Sequence, residues 1–331
     1  MCDQKLLTIS IAAYNVEETL QNAVESCFAA GEGPVEVIIV NDGSTDGTIG
    51  VARSCATKYP NSVIVVDKSN AGYGSTINAS IARATGKYFR YLDGDDWFDK
   101  KYFKEYIDIL AVSSQDMILT PYRKVYEDGS PSVVDDAFCD LAAGTYNIET
   151  VSDYGIGIAC TIAYRTEVLR KSNFKMSEHC FYCDTEYAAL PLPCVSSVYI
   201  CHLPIYQYRL GSEGQSVSSA SIERHYKDLI SVRKRIFEEL EISRGLPSEG
   251  YSAHMAAKEL RTAYEFILRA SPSFERLAAL KSLDRIAAKY PSVYKEASEH
   301  SKKMRLLHAT AFIAYWPLCT WSRHKTENRP F

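Results

Sequence analysis

Between residues 6 and 120 the chain alternates short apolar runs, rich in β-branched residues, with segments of helical periodicity. The runs are "LLTISIAAY", "VEVIIV", "SVIVVD", "KYFRYLD" and "DMILT", and the segments between them include 17–29, 47–58 and 75–84. Strands separated by helices predict βαβ units and a mostly parallel central sheet flanked by helices, an α/β fold. In such a sheet ligands gather beyond the carboxyl ends of the strands. Asn15 and Glu18 have the spacing of a helix N-cap and its reciprocal partner, so the first helix is expected directly after the first strand.

The stretch "EDGSPSVVDD" at 127–136 is a polar, turn-rich break. Beyond it "GIGIACTIAYRTEVL", a short helical pattern near 183–191 and "SSVYICHLPIYQYRL" complete the same domain. From Ser221 to about Tyr315 the pattern is almost wholly helical, with Pro247, Pro272 and Pro291 near expected helix ends. At 331 residues the chain exceeds what one hydrophobic core usually serves. The expected division is a domain over 1–220, in halves of about 1–120 and 121–220, followed by a helical C-terminal region over 221–331.

Charge and cysteine usage exclude some classes. Lys and Arg number 37 against 41 Asp and Glu, a formal −4, which argues against a protein that coats nucleic acid. No signal peptide is evident in "MCDQKLLTISIAAYN", and the longest apolar stretch, "ATAFIAYWPLC" at 309–319, falls short of the roughly 20 residues that cross a bilayer. A cytoplasmic location follows as the expectation. Ten cysteines spread along the chain read as reduced, buried thiols. Cys180 and Cys183 in "HCFYC" have zinc-knuckle spacing, but the second tight ligand pair is missing.

The chemistry concentrates where the first four strands end. After the first comes "AAYNVEETL" and after the second "VNDGSTDGT", where Asp42 can accept from a base N–H or a ribose hydroxyl. The third connection, "DKSNAGYGSTINASIARATG", places Asn70, Gly72 and Gly74 at a helix start, where glycines let a ligand approach the backbone. The first turn has no glycine, which disfavours a nicotinamide dehydrogenase. The fourth strand, in "RYLDGDDWFD", crowds Asp93, Asp95, Asp96 and Asp99 together. Like charges this close need compensation, and Mg²⁺ or Mn²⁺ bound by one or two carboxylates and phosphate oxygens provides it.

In that order, "AAYNVEETL", "VIIVNDGSTDGT" and "NAGYGSTINASIARATGKYFRYLDGDDW" resemble the inverting family 2 glycosyltransferases of bacterial type, which have the GT-A fold. The resemblance is close over about 7–110 and looser through "FYCDTEY" at 181–187 and "YQYRLGSEGQSVS" at 206–218. It implies a nucleotide-sugar site in which Ala13, Tyr14 and Glu17 line the nucleoside pocket and Asp42 meets the base. Asn70, Gly72 and Gly74 would lie near the nucleotide, Asp93 would face the ribose or sugar, and Asp95 would meet the metal. Asp96 would support them or contact the donor sugar.

The family's catalytic base sits in a Glu-Asp pair that here reads Cys183-Asp184, which implies Asp184 as the base, with Glu186 a nearby second candidate. Arg209, Ser212, Gln215 and Ser216 match a loop that folds over the donor diphosphate. The implied reaction is a single displacement from a nucleoside-diphosphate sugar, with UDP the first expectation, onto a saccharide or lipid-linked acceptor in cell-surface polysaccharide or glycolipid assembly. Two other classes stay open, an inactive nucleotide-binding regulator and a nucleotidyltransferase, though "AAYNVEE" lacks the glycine- and Arg/Lys-rich loop of the latter. The tail "SKKMRLLHATAFIAYWPLCTWSRHK" flanks an apolar, Trp-containing core with basic residues, as an interfacial helix at the inner membrane face would. Packing against the protein core takes precedence, because Pro317 interrupts the pattern.

Overall fold

The computed structural model describes residues 5–211 and 218–327. The expected loop residues Ser212, Gln215 and Ser216 lie outside them. Four strands, β1 (Leu7–Ala13), β2 (Val35–Asp42), β3 (Val63–Lys68) and β4 (Tyr88–Asp93), alternate with helices α1 (Leu20–Ser26), α2 (Thr48–Lys58) and α3 (Tyr73–Ile81). Helix α4 (Lys100–Val112) follows β4 after a short turn. Burial of nearly every residue of β1 and β2 explains why their sequences are continuous apolar runs rather than alternating ones.

The strands lie in the order β3-β2-β1-β4 and all pair in parallel. Register puts Ala13 opposite Asn41 and Ala12 opposite Asp93, so the three strands end at one level. Chain order reverses between β1 and β4, and a crevice at such a switch is where an open α/β sheet takes its ligand. Beyond β4 the sheet is mixed. Ile162–Arg165 runs antiparallel to both β4 and Met117–Leu119, then Ser197–Ile200 and the edge strand Gly144–Asn147 follow. A second, smaller sheet pairs Tyr206–Leu210 with Trp97–Phe98 on one side and Tyr122–Tyr126 on the other, with Val133–Asp135 at its edge.

Two local expectations change. Asn15 does not cap α1, which begins at Leu20 after Thr19. It takes a left-handed conformation, φ 53°, and its Oδ1 accepts the Thr45 N–H at 2.8 Å, so the side chain ties two strand-end loops instead. Asp99, in contrast, caps α4 by accepting from the N–H groups of Lys101 and Tyr102 at 3.0 and 3.1 Å. That removes one carboxylate from the crowd in "RYLDGDDWFD".

Packing divides the chain into two units: one comprises the residues up to Cys180 with Cys194–Leu210, the other Phe181–Pro193 with the chain from Gly211 onward. Phe181–Pro193 lies before residue 220 in sequence, yet it groups with the helices. In that helical unit Glu249–Arg269 packs against Ser219–Ile242, Pro291–Glu299 and Tyr315–Glu327, burying Met255, Leu260, Tyr264 and Ile267. Pro291 opens its helix. Pro317 does not break the pattern, because it sits in the first turn of Tyr315–Glu327, where no intrahelical N–H bond is required.

A buried carboxylate locks the start of the parallel sheet. Glu36 accepts from Thr8 Oγ1 at 2.7 Å and from the Thr85 N–H and Oγ1, both at 2.9 Å. Glu36→Ala leaves those donors without an acceptor, and urea unfolding is expected to show a loss of about 1–3 kcal/mol.

Candidate active site

The loops after β1 and β2 hold each other through reciprocal bonds. The N–H of Asn15 donates to Ser44 Oγ at 3.0 Å, that of Val16 to Thr48 Oγ1 at 2.8 Å and that of Glu17 to Asp46 at 3.2 Å. In return Glu17 accepts the Gly47 N–H at 2.5 Å. Glu17 is therefore occupied in shaping the rim. Ala13 is buried at the end of β1, whereas the Tyr14 ring is 52% exposed and offers a free face at the strand edge.

Asp42 and the glycines differ from their expected roles. The Asp42 carboxylate is buried and accepts from the N–H groups of Ala71 and Gly72 at 3.0 and 2.9 Å, and it also pairs with Lys68. Its oxygens fasten the entrance of α3 rather than lie open to a base. At Gly74 an added Cβ would fall 2.1 Å from the Ser177 carbonyl oxygen, and at Gly72, φ 82°, it would fall 3.1 Å from the His179 N. The space that their missing side chains free is filled by residues 176–179. Asn70 stays exposed beside this turn.

The aspartates at the end of β4 separate into distinct environments. Asp93 accepts from Tyr73 Oη at 2.8 Å. Tyr206 Oη lies 2.6 Å from Asp96 Oδ2 and 3.1 Å from Asp93 Oδ2, and it accepts the Asp93 N–H at 3.3 Å. A phenol has one proton to give, and burial with two carboxylates beside it holds Tyr206 protonated. Burial, then the charges of Asp93 and Asp95, push the Asp96 carboxyl well above the usual carboxylate range. Asp96 is thus the acid of the turn biased toward its protonated form, and the Tyr206 hydroxyl lies between it and Asp93.

Arg209 closes the turn from the small sheet. Its N–H donates to Asp96 Oδ1 at 2.7 Å, its Nε donates to the Asp95 carbonyl at 2.9 Å, and its guanidinium lies 5.1 Å from the Trp97 ring centroid. Trp97 therefore stacks on Arg209, and Phe98 alone is the core anchor, packed 4.9 Å from Phe103. Among the described residues the partly exposed Asp95 carboxylate accepts no hydrogen bond and pairs with no cation. Also among them, no group of three or more His, Cys, Asp or Glu is arranged to hold a metal, and that includes Cys180 and Cys183. An uncommitted hard oxygen donor beside suppressed acidity suits a divalent cation that draws most of its ligands from substrate and water.

Asp184 opens the helix Asp184–Ala189 of the helical unit, with Cys183 buried before it. Its carboxylate reaches solvent, but the crowding around it strips hydration and raises its pKa. Arg233 opposes that rise and Glu259 adds to it. Glu186, the second candidate base, is buried and paired with Arg235 Nη1 at 2.7 Å, a structural ion pair. Tyr206 is the residue the sequence reading missed. Its signal was its place in the same strand as Arg209, but a tyrosine in "YQYRL" reads equally as core.

Residues 8–172 match the model of Glycosyl transferase family 2. They form a family 2 glycosyltransferase domain. An uncharacterized glycosyltransferase of Nostoc sp. is 27% identical over 172 residues, 50% of this chain and 52% of that protein, so the chain spans about half that relative's length. The fold of the glycosyltransferase chain is GT-A. It superposes on S. aureus TarS 1–349, solved in complex with UDP-GlcNAc, with a TM-score of 0.69 over 97% of this chain and 92% of that one, at 17% identity. The mannosyltransferase PcManGT of Pyrobaculum calidifontis, in complex with GDP-Man and Mn²⁺, gives 0.53 over 97% and 87% at 15% identity.

The phenol that joins two carboxylates makes the glycosyltransferase turn sensitive to one atom. Tyr206→Phe keeps the ring but removes the shared hydroxyl, and chemical denaturation is expected to show a loss of about 1–3 kcal/mol.

Proposed function

We propose that this chain moves a sugar from a nucleoside-diphosphate sugar to an acceptor hydroxyl, with inversion and the help of a divalent cation. UDP is the first candidate nucleotide, and cell-surface polysaccharide or glycolipid assembly the first candidate setting. The observation that carries the reading is the Asp93–Asp96 turn. Asp93 is fixed by tyrosines, Asp96 is buried and bonded to Tyr206 and the Arg209 N–H, and Asp95 is left uncommitted at the carboxyl edge where the strand-end loops meet. Relatives that share the family or fold, including TarS with UDP-GlcNAc and PcManGT with GDP-Man and Mn²⁺, lend support.

The roles follow from the chemistry of each group. The exposed ring of Tyr14 offers a surface on which a base can stack. Asn70 supplies a polar contact near the nucleotide, and Asp93 can accept from a donor hydroxyl. Asp95, with Asp93, would hold Mn²⁺ or Mg²⁺, which when bound supplies Lewis-acid relief of the negative charge on the departing diphosphate. Arg209 adds a fixed positive charge at the same turn. An acceptor hydroxyl is a poor nucleophile at neutral pH, so a carboxylate must take its proton as the bond forms, and Asp184 is assigned that task. Its raised pKa makes it a stronger base than an ordinary aspartate.

Incubation with a panel of nucleotide sugars and Mn²⁺ or Mg²⁺ should release nucleoside diphosphate for at least one donor. Asp95→Ala should remove the metal dependence of nucleotide binding. Unchanged binding and metal dependence in that variant, with no donor turned over by the native chain, would defeat the assignment. Donor binding without any transfer would instead favour a nucleotide-binding regulator.

Asp184→Asn should lower transfer by about 10²–10⁴-fold while donor affinity is retained. A base acts only when deprotonated, so a raised pKa places the acid limb of kcat/KM at higher pH. That limb should lie above the ordinary aspartate range, near 3.8. A limb at or below that range would count against Asp184.

A further inference from the structure

The helices Lys302–Ala309 and Tyr315–Glu327 each bury one face, through Met304 and Leu307 in the first and Tyr315 and Cys319 in the second. Their exposed residues mix basic and apolar side chains, Lys302, Arg305 and Leu306 in the first and Trp316 and Trp321 in the second. Ile313 is 78% exposed, Trp321 54% and Trp316 37%, and Trp316 meets the 76% exposed Phe274 edge-on with ring centroids 4.9 Å apart. Single exposed apolar residues are ordinary, but the exposed Phe274–Trp316 pair, with Ile313 and Trp321 exposed within five residues of Trp316 in sequence, is a concentration that calls for a partner.

The charge around the patch identifies that partner. From His300 to Thr326 the sequence holds Lys302, Lys303, Arg305, Arg323 and Lys325 and no Asp or Glu, in a chain whose acids outnumber its Lys and Arg. Lys302 and Arg305 are exposed, and Lys303 Nζ lies 5.8 Å from the Trp321 ring centroid. Glu275, Glu299 and Glu327 are the acidic neighbours in sequence, next to Phe274, just before the basic segment and just after it.

We propose that this face docks the helical unit on an anionic membrane surface. Indole rings settle at the headgroup level, and Lys and Arg beside them pair with lipid phosphates. Among the described residues no helix is long and apolar enough to cross a membrane, so the helices lie on the surface by their exposed side. The chain as a whole carries a formal −4, so the basic segment is a local departure from its charge. This inference rests on the patch and its charge and not on the transfer reading, so either can fail alone.

Co-sedimentation of the full chain with phosphatidylcholine vesicles, with and without phosphatidylglycerol, tests it. Binding is expected only with the anionic lipid, falling as salt rises, and Trp316→Ala with Trp321→Ala should weaken it by more than about tenfold. The chain has three tryptophans, so in a Trp97→Phe background the emission should shift to the blue on binding, reporting Trp316 and Trp321 alone. No binding to anionic vesicles at low salt, or equal binding by the double variant, would overturn the proposal. So would sedimentation velocity showing a native dimer that the double variant abolishes, since the patch would then belong to a second copy of the chain.

Discussion

One phenolic proton holds the Asp93–Asp96 turn together. Tyr206 reaches it from a strand of the small sheet, 113 residues beyond Asp93 in sequence, and its hydroxyl sits between two carboxylates that would otherwise repel each other. Burial and the neighbouring charges of Asp93 and Asp95 raise the proton affinity of Asp96, which eases the crowding of three acids in four positions. The nearby guanidinium of Arg209 brings positive charge to the turn through the Asp95 carbonyl, while it also stacks on Trp97 and pairs with Glu127 at 3.4 Å. The turn is thus held by the protein's own groups, and among the described residues the Asp95 carboxylate accepts no hydrogen bond.

The rest of the edge is built to keep that turn in place. The order β3-β2-β1-β4 brings the ends of β1 and β4 together, and Thr19 Oγ1 in the loop after β1 donates to the Gly94 carbonyl at 2.7 Å. Asp42 fixes the start of α3, from which Tyr73 reaches Asp93. Acids that a motif comparison treats alike therefore do different work. Asp42 and Asp99 satisfy orphan N–H groups at helix entrances, Asp96 accepts from the Arg209 N–H and the Tyr206 hydroxyl, and Asp95 stays available.

The element pattern was legible in the sequence because parallel strands buried along their length leave continuous apolar runs, and α2 and α3 appear within a few residues of their expected ranges. The start of α1 was not legible. Asn15 has the residue type and spacing of a cap, but its side chain finds a partner in Thr45, thirty residues away, and a cap motif cannot register that competition. The neighbours of the glycines were not legible for a related reason: Gly72 and Gly74 mark a close approach to the backbone, and residues 176–179, about a hundred residues on, are a group that makes it.

Sequence alone determined the alternation of strands and helices, the delivery of carboxylates to one edge and the family pattern that "AAYNVEETL", "VNDGSTDGT" and "RYLDGDDW" carry. Those features are local, set by side-chain periodicity and turn chemistry within a few residues. Tertiary structure decided which acid is buried, which is capped and which is open, because proton affinity and hydrogen-bond supply depend on groups far away in the chain. It also decided which residues of the C-terminal helices are buried, with Met304 and Tyr315 in the core and Trp316 and Trp321 exposed, since only packing chooses which stripe of a helix meets protein.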